Sequence, residues 1–193
     1  MSLSRETEVI FDSRRGQDYH SANPPLYDSS TFHQTVLGGN AQYDYARSGN
    51  PNRTLLEEKL ARLEGGKYAF AYASGIAAIT AVLLTLKSDD HVILPDDVYG
   101  GTFRLTEQIL NRFNIKFTTV NTTNILEIKN AIQSNTKLIY VETPSNPLFK
   151  ITDIRAVARI AKQNNLLLAV DNTFMTPLGQ SPLALGADIV VHS

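Results

Sequence analysis

Five apolar residues in a row, Leu166 to Val170, run directly into Asp171-Asn172-Thr173-Phe174. Such a run is the pattern of a strand buried on both faces of a parallel sheet. Its carboxyl end would open at the crevice where open α/β sheets bind their ligands. A carboxylate taken out of water at that place is costly unless something cationic meets it. The protonated ring nitrogen of pyridoxal phosphate is one partner that answers this demand, because a carboxylate beside it lets the ring act as an electron sink for a carbanion. The residues alone leave a second reading open, in which Asp171 only caps the turn that follows.

Four further places could serve the same chemistry. Ser74-Gly75-Ile76 lies where an extended stretch becomes a helix, so Gly75 would let the backbone approach an anion while Ser74 and the first helical N–H groups donate to it. Plain helix capping is the alternative. Tyr99, followed by Gly100-Gly101, has room to stack its ring on a flat ligand, or to pack on the surface as a loop tyrosine. Asn146 stands between Pro144 and Pro147, which fix its position, so its amide could bond a ring hydroxyl or simply serve a turn. Arg47 carries the planar fork that recognises phosphate, and taken singly it is equally a solvated charge.

The elements that must hold these residues alternate regularly. Asn50-Pro51 caps and starts a helix whose face is marked by Leu55, Leu56, Leu60 and Leu63 and which Gly65-Gly66 stops. Strands are predicted over 68–72, 91–94, 115–120, 137–142, 166–171 and 187–191. Helices are predicted over 76–86, 102–113, 125–133 and 153–163, with a short one near 182–185. Strands separated by such helices argue for right-handed crossovers and a mostly parallel sheet. Every candidate after Asn50 then falls at one edge of that sheet. Residues 1–50 differ: Phe11 to Ser48 is rich in Gly, Asn, Tyr, Ser and Arg without a sustained period, and reads as an extended arm that must lie on something, such as another subunit.

The totals exclude several classes. Eighteen basic and nineteen acidic residues nearly cancel, without a basic stripe for nucleic acid or a polybasic run for a membrane surface. There is no cysteine, hence no disulfide or thiolate metal site, and the four histidines form no i, i+4 pair. The charged first residues hold no apolar signal core, and the longest apolar run, Ile76 to Leu86, is too short to span a bilayer. No phosphate-binding Walker loop and no G-x-G-x-x-G after a strand is present. A cytoplasmic protein is expected, with neither nucleic acid nor membrane as a partner.

Six segments together resemble the Cys/Met-metabolism, or trans-sulfuration, family of pyridoxal-phosphate enzymes. They are Tyr-x-Arg-x-x-Asn-Pro at 45–51, Ala-Ser-Gly-x-Ala-Ala at 73–78, Asp-Asp-Val-Tyr-Gly-Gly-Thr at 96–102, Glu-Thr-Pro-Ser-Asn-Pro at 142–147, Val-Asp-Asn-Thr-Phe at 170–174 and Gly-Ala-Asp-Ile-Val-Val-His-Ser at 186–193. The resemblance is strongest to bacterial cystathionine β-lyases. It implies an α/β fold: the three-layer αβα, mostly parallel sheet of the large domain of PLP-dependent transferases (aspartate aminotransferase-like, fold type I), here truncated. Residues 1–50 would be the arm contacting a neighbouring subunit, and residues 51–193 the first part of the cofactor-binding domain.

The resemblance also assigns roles. Asp171 would pair with the pyridine nitrogen of pyridoxal 5'-phosphate, with Thr173 beside it, and Tyr99 would stack on the ring; these two, Tyr99 and Asp171, are the expected catalytic residues. Ser74, Gly75, Ile76 and Ser193 would hold the phosphate, and Asn146 would lie near the ring hydroxyl. Tyr45 and Arg47 would reach the neighbour's phosphate across a dimer interface, in a tetramer built from two dimers. The reaction implied is carbon–sulfur cleavage of cystathionine, a small amino-acid substrate, to homocysteine, pyruvate and ammonia in methionine biosynthesis. Synthesis of cystathionine from an O-acylhomoserine, or γ-cleavage, would use the same motifs.

One departure stands out. The family's cofactor-bearing lysine follows the counterpart of Ser193 by about three residues, and this chain has no lysine after Lys162. The chain stops directly after a predicted strand, without the helix that should cover its crossover. These 193 residues are therefore expected to be the first half of an enzyme, without its C-terminal domain and inactive alone. A fragment that acts only in subunit association is the remaining alternative.

Overall fold

The computed structural model describes Thr7, residues 23–34, 36, 38–39 and 41–193; most of the first half of the expected arm lies outside the described residues. The chain divides into two compact units, Met1–Ala71 and Tyr72–Ser193.

In the first unit, helix α1 spans Pro51–Glu64. Asn50 caps it by accepting from Asn52 N, and Gly65 ends it at φ +73°, a left-handed conformation that suits glycine. The residues before it are tied back to its first turn. Asn52 Oδ1 accepts from Tyr27 N at 2.8 Å, and Asn52 Nδ2 donates to Pro25 O at 2.9 Å. Arg53 donates to the carbonyls of Arg47 and Ser48. Two expectations fail here. Leu56 is 49% exposed, so it does not share the inward face with Leu63. The strand expected over 68–72 does not form. Strand propensity describes fit to a half-buried pleated surface, and Tyr68, Phe70 and Tyr72 are exposed, while Ala71 N goes to Glu57 Oε1 instead of a ladder.

The second unit opens with helix α2, Gly75–Leu83. Strands β1 (His91–Pro95), β2 (Lys116–Val120), β3 (Thr136–Glu142), β4 (Leu167–Asp171) and β5 (Ile189–Val191) form one sheet in the order β2-β1-β3-β4-β5. Every pairing is parallel. Helix α3 (Gly100–Arg104) runs on through a π-helical stretch, Leu105–Ile109, and a 3-10 turn, Leu110–Phe113. Helices α4 (Ile125–Ala131) and α5 (Ile154–Gln163) make the next two crossovers. A four-residue α6, Thr176–Gly179, precedes a 3-10 turn at Leu183–Leu185.

Alternation along the strands sends side chains into two cores. Leu138, Tyr140, Ala169 and Val191 pack with Ile79 and Leu83 of α2 and with Leu110. Ile139, Val141, Leu168 and Val170 pack on the other face with Ile128 of α4 and Val157 and Ile160 of α5. The three-layer αβα arrangement expected from the sequence is thus present, with every pairing within this sheet parallel. Among the described residues no helix is long and apolar enough to cross a membrane.

His91 begins β1, between β2 and β3, and joins these two neighbours. Its Nδ1 lies 2.8 Å from Thr136 Oγ1 on β3, and its Nε2 lies 2.9 Å from Thr118 Oγ1 on β2. Burial lowers its pKa below the ordinary 6.5. The folded protein therefore binds fewer protons here than the unfolded chain, so this contribution is present above pH 6.5 and is lost as pH falls below it. In urea unfolding, the change in stability from about pH 7.5 to 5 should be less favourable in the wild type than in His91→Gln, and an equal change in the two would refute the assignment.

Candidate active site

Strands β1, β3, β4 and β5 end along one edge at Pro95, Glu142, Asp171 and Val191. The strand order reverses direction between β1 and β3, the position where sheets of this order bind ligands. Asp171 is 7% exposed and takes three donors. Thr173 N and Thr173 Oγ1 reach Oδ1 at 3.0 and 2.6 Å, and Tyr140 Oη reaches Oδ2 at 3.0 Å. Ser193 N in turn donates to Thr173 Oγ1 at 3.0 Å. Asp171, Thr173 and Ser193, picked out separately in the sequence, form one chain of contacts.

Glu142 lies on the same rung as Asp171, on the neighbouring strand. It is 6% exposed, and its two oxygens serve two loops: Oε2 accepts from Tyr99 N and Oε1 from Asn146 N, both at 2.8 Å. Burial, together with the Asp171 and Asp97 charges, pushes its carboxyl up to about 7, against the pull of those two N–H groups. Tyr99 and Asn146 are therefore held by one carboxylate. Tyr99 is 45% exposed, and its ring lies against Gly101, where a Cβ would come within 2.4 Å of Tyr99 Cε1. The following loop is fixed from below: Ser145 Oγ donates to Asp97 Oδ2, and Lys150 Nζ meets the Asp96 carboxylate at 2.9 Å.

The start of α2 completes this edge. Ser74 caps the helix, its Oγ accepting from Ala77 N at 3.3 Å. Gly75 is backed so closely by Ser193 that a Cβ there would lie 2.4 Å from both Ser193 Cβ and Oγ. Ser74, Gly75, Ile76 and Ser193 thus occupy one neighbourhood, with the N–H groups of a nine-residue helix beginning there. Tyr45 and Arg47 belong to the first unit, where the Arg47 guanidinium lies 5.1 Å from the Tyr45 ring centroid and both side chains are exposed.

Tyr140 and Glu142 are the functional candidates that reading the strands alone passes over. Their signal is period two: residues 140 and 142 share the face that carries Asp171 on the next strand. The donor set suits pyridoxal phosphate. A buried carboxylate can meet a ring cation, an exposed aromatic ring can cover a planar ligand, and a capped helix start with a glycine at closest approach can take a phosphate.

A family model described as Cys/Met metabolism PLP-dependent enzyme matches residues 6–193. A cystathionine beta-lyase of Staphylococcus haemolyticus (strain JCSC1435) is 86% identical over 193 residues, which is 100% of this chain and 49% of that protein. A cystathionine gamma-lyase of Bacillus subtilis (strain 168) is 48% identical over 192 residues, 99% of this chain and 51% of that protein. The crystal structure of cystathionine gamma-lyase from Lactobacillus plantarum complexed with L-serine superposes with a TM-score of 0.94 at 46% identity, covering 99% of this chain and 50% of that one. The chain spans about half the length of the curated relatives it matches.

Glu142 supplies a test of this geometry. Its raised value means that the folded protein binds more protons than the unfolded chain between 4.5 and about 7, so stability is fully present below 4.5 and is lost as pH rises through 7. In chemical denaturation, the wild type should lose on the order of 2–3 kcal/mol more than Glu142→Gln over that interval. Equal pH slopes in the two proteins would refute the assignment.

Proposed function

The chain belongs to the Cys/Met metabolism PLP-dependent enzyme family, and from that premise we propose that the whole protein is a carbon–sulfur lyase cleaving cystathionine to homocysteine, pyruvate and ammonia. The observation that carries a cofactor-dependent reading is Asp171, a carboxylate buried at a strand end whose Oδ2 takes one donor among the described residues. The β-lyase reading is favoured over γ-chemistry by the likeness along the entire chain to the Staphylococcus haemolyticus enzyme. The γ-lyase and γ-synthase relatives keep γ-cleavage and γ-replacement as the second reading.

Bound at this edge, pyridoxal phosphate supplies an electron sink for a carbanion at the substrate α-carbon. The chain's residues would hold it in place. Asp171 keeps a proton on the ring nitrogen, and Thr173 fixes Asp171 through Oδ1. Tyr99, anchored by Glu142, lays its ring on the cofactor, and Asn146, anchored by the same carboxylate, offers its amide to the ring hydroxyl. Ser74, Ser193 and the N–H groups of Gly75 and Ile76 bind the phosphate. Tyr45 and Arg47 would complete a neighbouring subunit's phosphate site, which would make the working form a dimer-built homotetramer, placed in the cytoplasm. Residues 1–50 act in that reading as the intersubunit arm.

Two measurements on the full-length protein test this reading. Incubation with cystathionine should release pyruvate, and incubation with an O-acylhomoserine and cysteine should yield little cystathionine; the reverse pattern would make the enzyme a synthase. Asp171→Ala should weaken cofactor retention and lower kcat by at least about a thousandfold, since the ring cation loses its partner in a water-poor site. A variant as active as wild type would remove the basis of the proposal.

A further inference from the structure

Asp171 does not offer its two oxygens equally. An ionised carboxylate presents about two lone-pair positions on each oxygen. Both positions on Oδ1 are occupied, one by Thr173 N and one by Thr173 Oγ1. Among the described residues Oδ2 receives a single donor, Tyr140 Oη, at 3.0 Å. The phenol is fully buried and reaches Asp171 diagonally from the adjacent strand, where its own rung partner, Ala169, presents only a methyl group. Burial first, then the Asp171 and Glu142 charges, push the Tyr140 hydroxyl well above its ordinary value, so it remains a proton donor throughout the working range. The other acid on this rung, Glu142, directs one oxygen to each loop amide and is already committed.

We propose that Tyr140 is a positioning residue for Asp171: its buried hydroxyl occupies one lone pair of Oδ2 and leaves the other lone pair of that same oxygen as the point where a cationic ring nitrogen is met. The inference rests on the reading that Asp171 pairs with the cofactor ring. Two consequences follow from a shared oxygen. The phenol fixes the direction in which the free lone pair is presented. It also draws electron density from Oδ2, so the carboxylate competes less strongly for the proton it shares with the ring, and the proton stays on nitrogen. Without the hydroxyl, the carboxylate pulls that proton toward itself and the ring becomes a weaker electron sink.

The test uses the full-length holoenzyme loaded with cofactor carrying nitrogen-15 in the ring. Tyr140→Phe preserves the ring that fills the core and deletes only the hydroxyl. The nitrogen-15 resonance is expected to move toward the position of a neutral pyridine, and kcat is expected to fall about tenfold with KM little changed, the signature of an interaction that matters after substrate has bound. Replacing Tyr140 by a fluorinated tyrosine, a stronger donor of the same shape, should move the resonance the opposite way. An unmoved resonance in both variants overturns the proposal, as does a Tyr140→Phe protein that only loses thermal stability while its resonance and kcat stay at wild-type values. Asp171→Ala separates the two levels of the argument. If the resonance is unchanged in Asp171→Ala as well, the pairing with the ring is wrong; if it changes there but not in the Tyr140 variants, only the role of Tyr140 fails.

Discussion

A buried anion organises this edge of the fold. Asp171 is nearly removed from water. A buried acid is costly to leave without hydrogen-bond partners. Here it gathers donors: two from Thr173, directly after the strand, and one from Tyr140 on the strand beside it. Each donor reaches further. Thr173 receives Ser193 N, and Ser193 packs against Gly75 at the start of α2. The constraint on one carboxylate thus fixes the relative placement of β3, β4, the end of β5 and the first turn of α2.

The second acid divides the labour differently. Glu142 and Asp171 are rung partners, and two carboxylates this close would repel if both were free to face the same space. Glu142 gives its oxygens to Tyr99 N and Asn146 N, which offset part of that repulsion, and its carboxyl still rises to about 7. The result is one acid that shapes the loops and one that faces a ligand. Because Glu142 holds both loops through a single group, Tyr99 and Asn146 should respond together to any change at that position.

Much of this was legible in the sequence because a parallel sheet turns order along the chain into position along an edge. The cap at Asn50 with Pro51 and the stop at Gly65 act through local chemistry and are present as expected, and the apolar run before Asp171 forms its strand with Leu168 to Asp171 buried, although Leu167 at its start is 45% exposed. The stretch over 68–72 alternates aromatics as a strand would, yet among the described residues no strand pairs with it. Leu56 was misplaced because helical spacing gives a face but not what covers it. Tyr140 and Glu142 were not singled out because their importance depends on which strand lies beside β3 and in what register. A hydrophobic pattern does not contain that information.

Register also explains why the first and last motifs of the second unit meet. Helix α2 precedes all five strands of the sheet, yet its Ile79 and Leu83 pack on the face that holds Tyr140, Ala169 and Val191. That face is the one from which Asp171 emerges, since residues 169 and 171 are two apart on one strand. A helix seated there brings its N-terminus to the carboxyl ends of the strands only if its first residue lacks a side chain, because Ser193 already fills the space beside Gly75. The glycine is thus a packing requirement as well as an opening toward an anion. Any larger residue would have to displace the end of β5, and with it the Ser193 N–H that steadies Thr173 and, through Thr173, the carboxylate of Asp171.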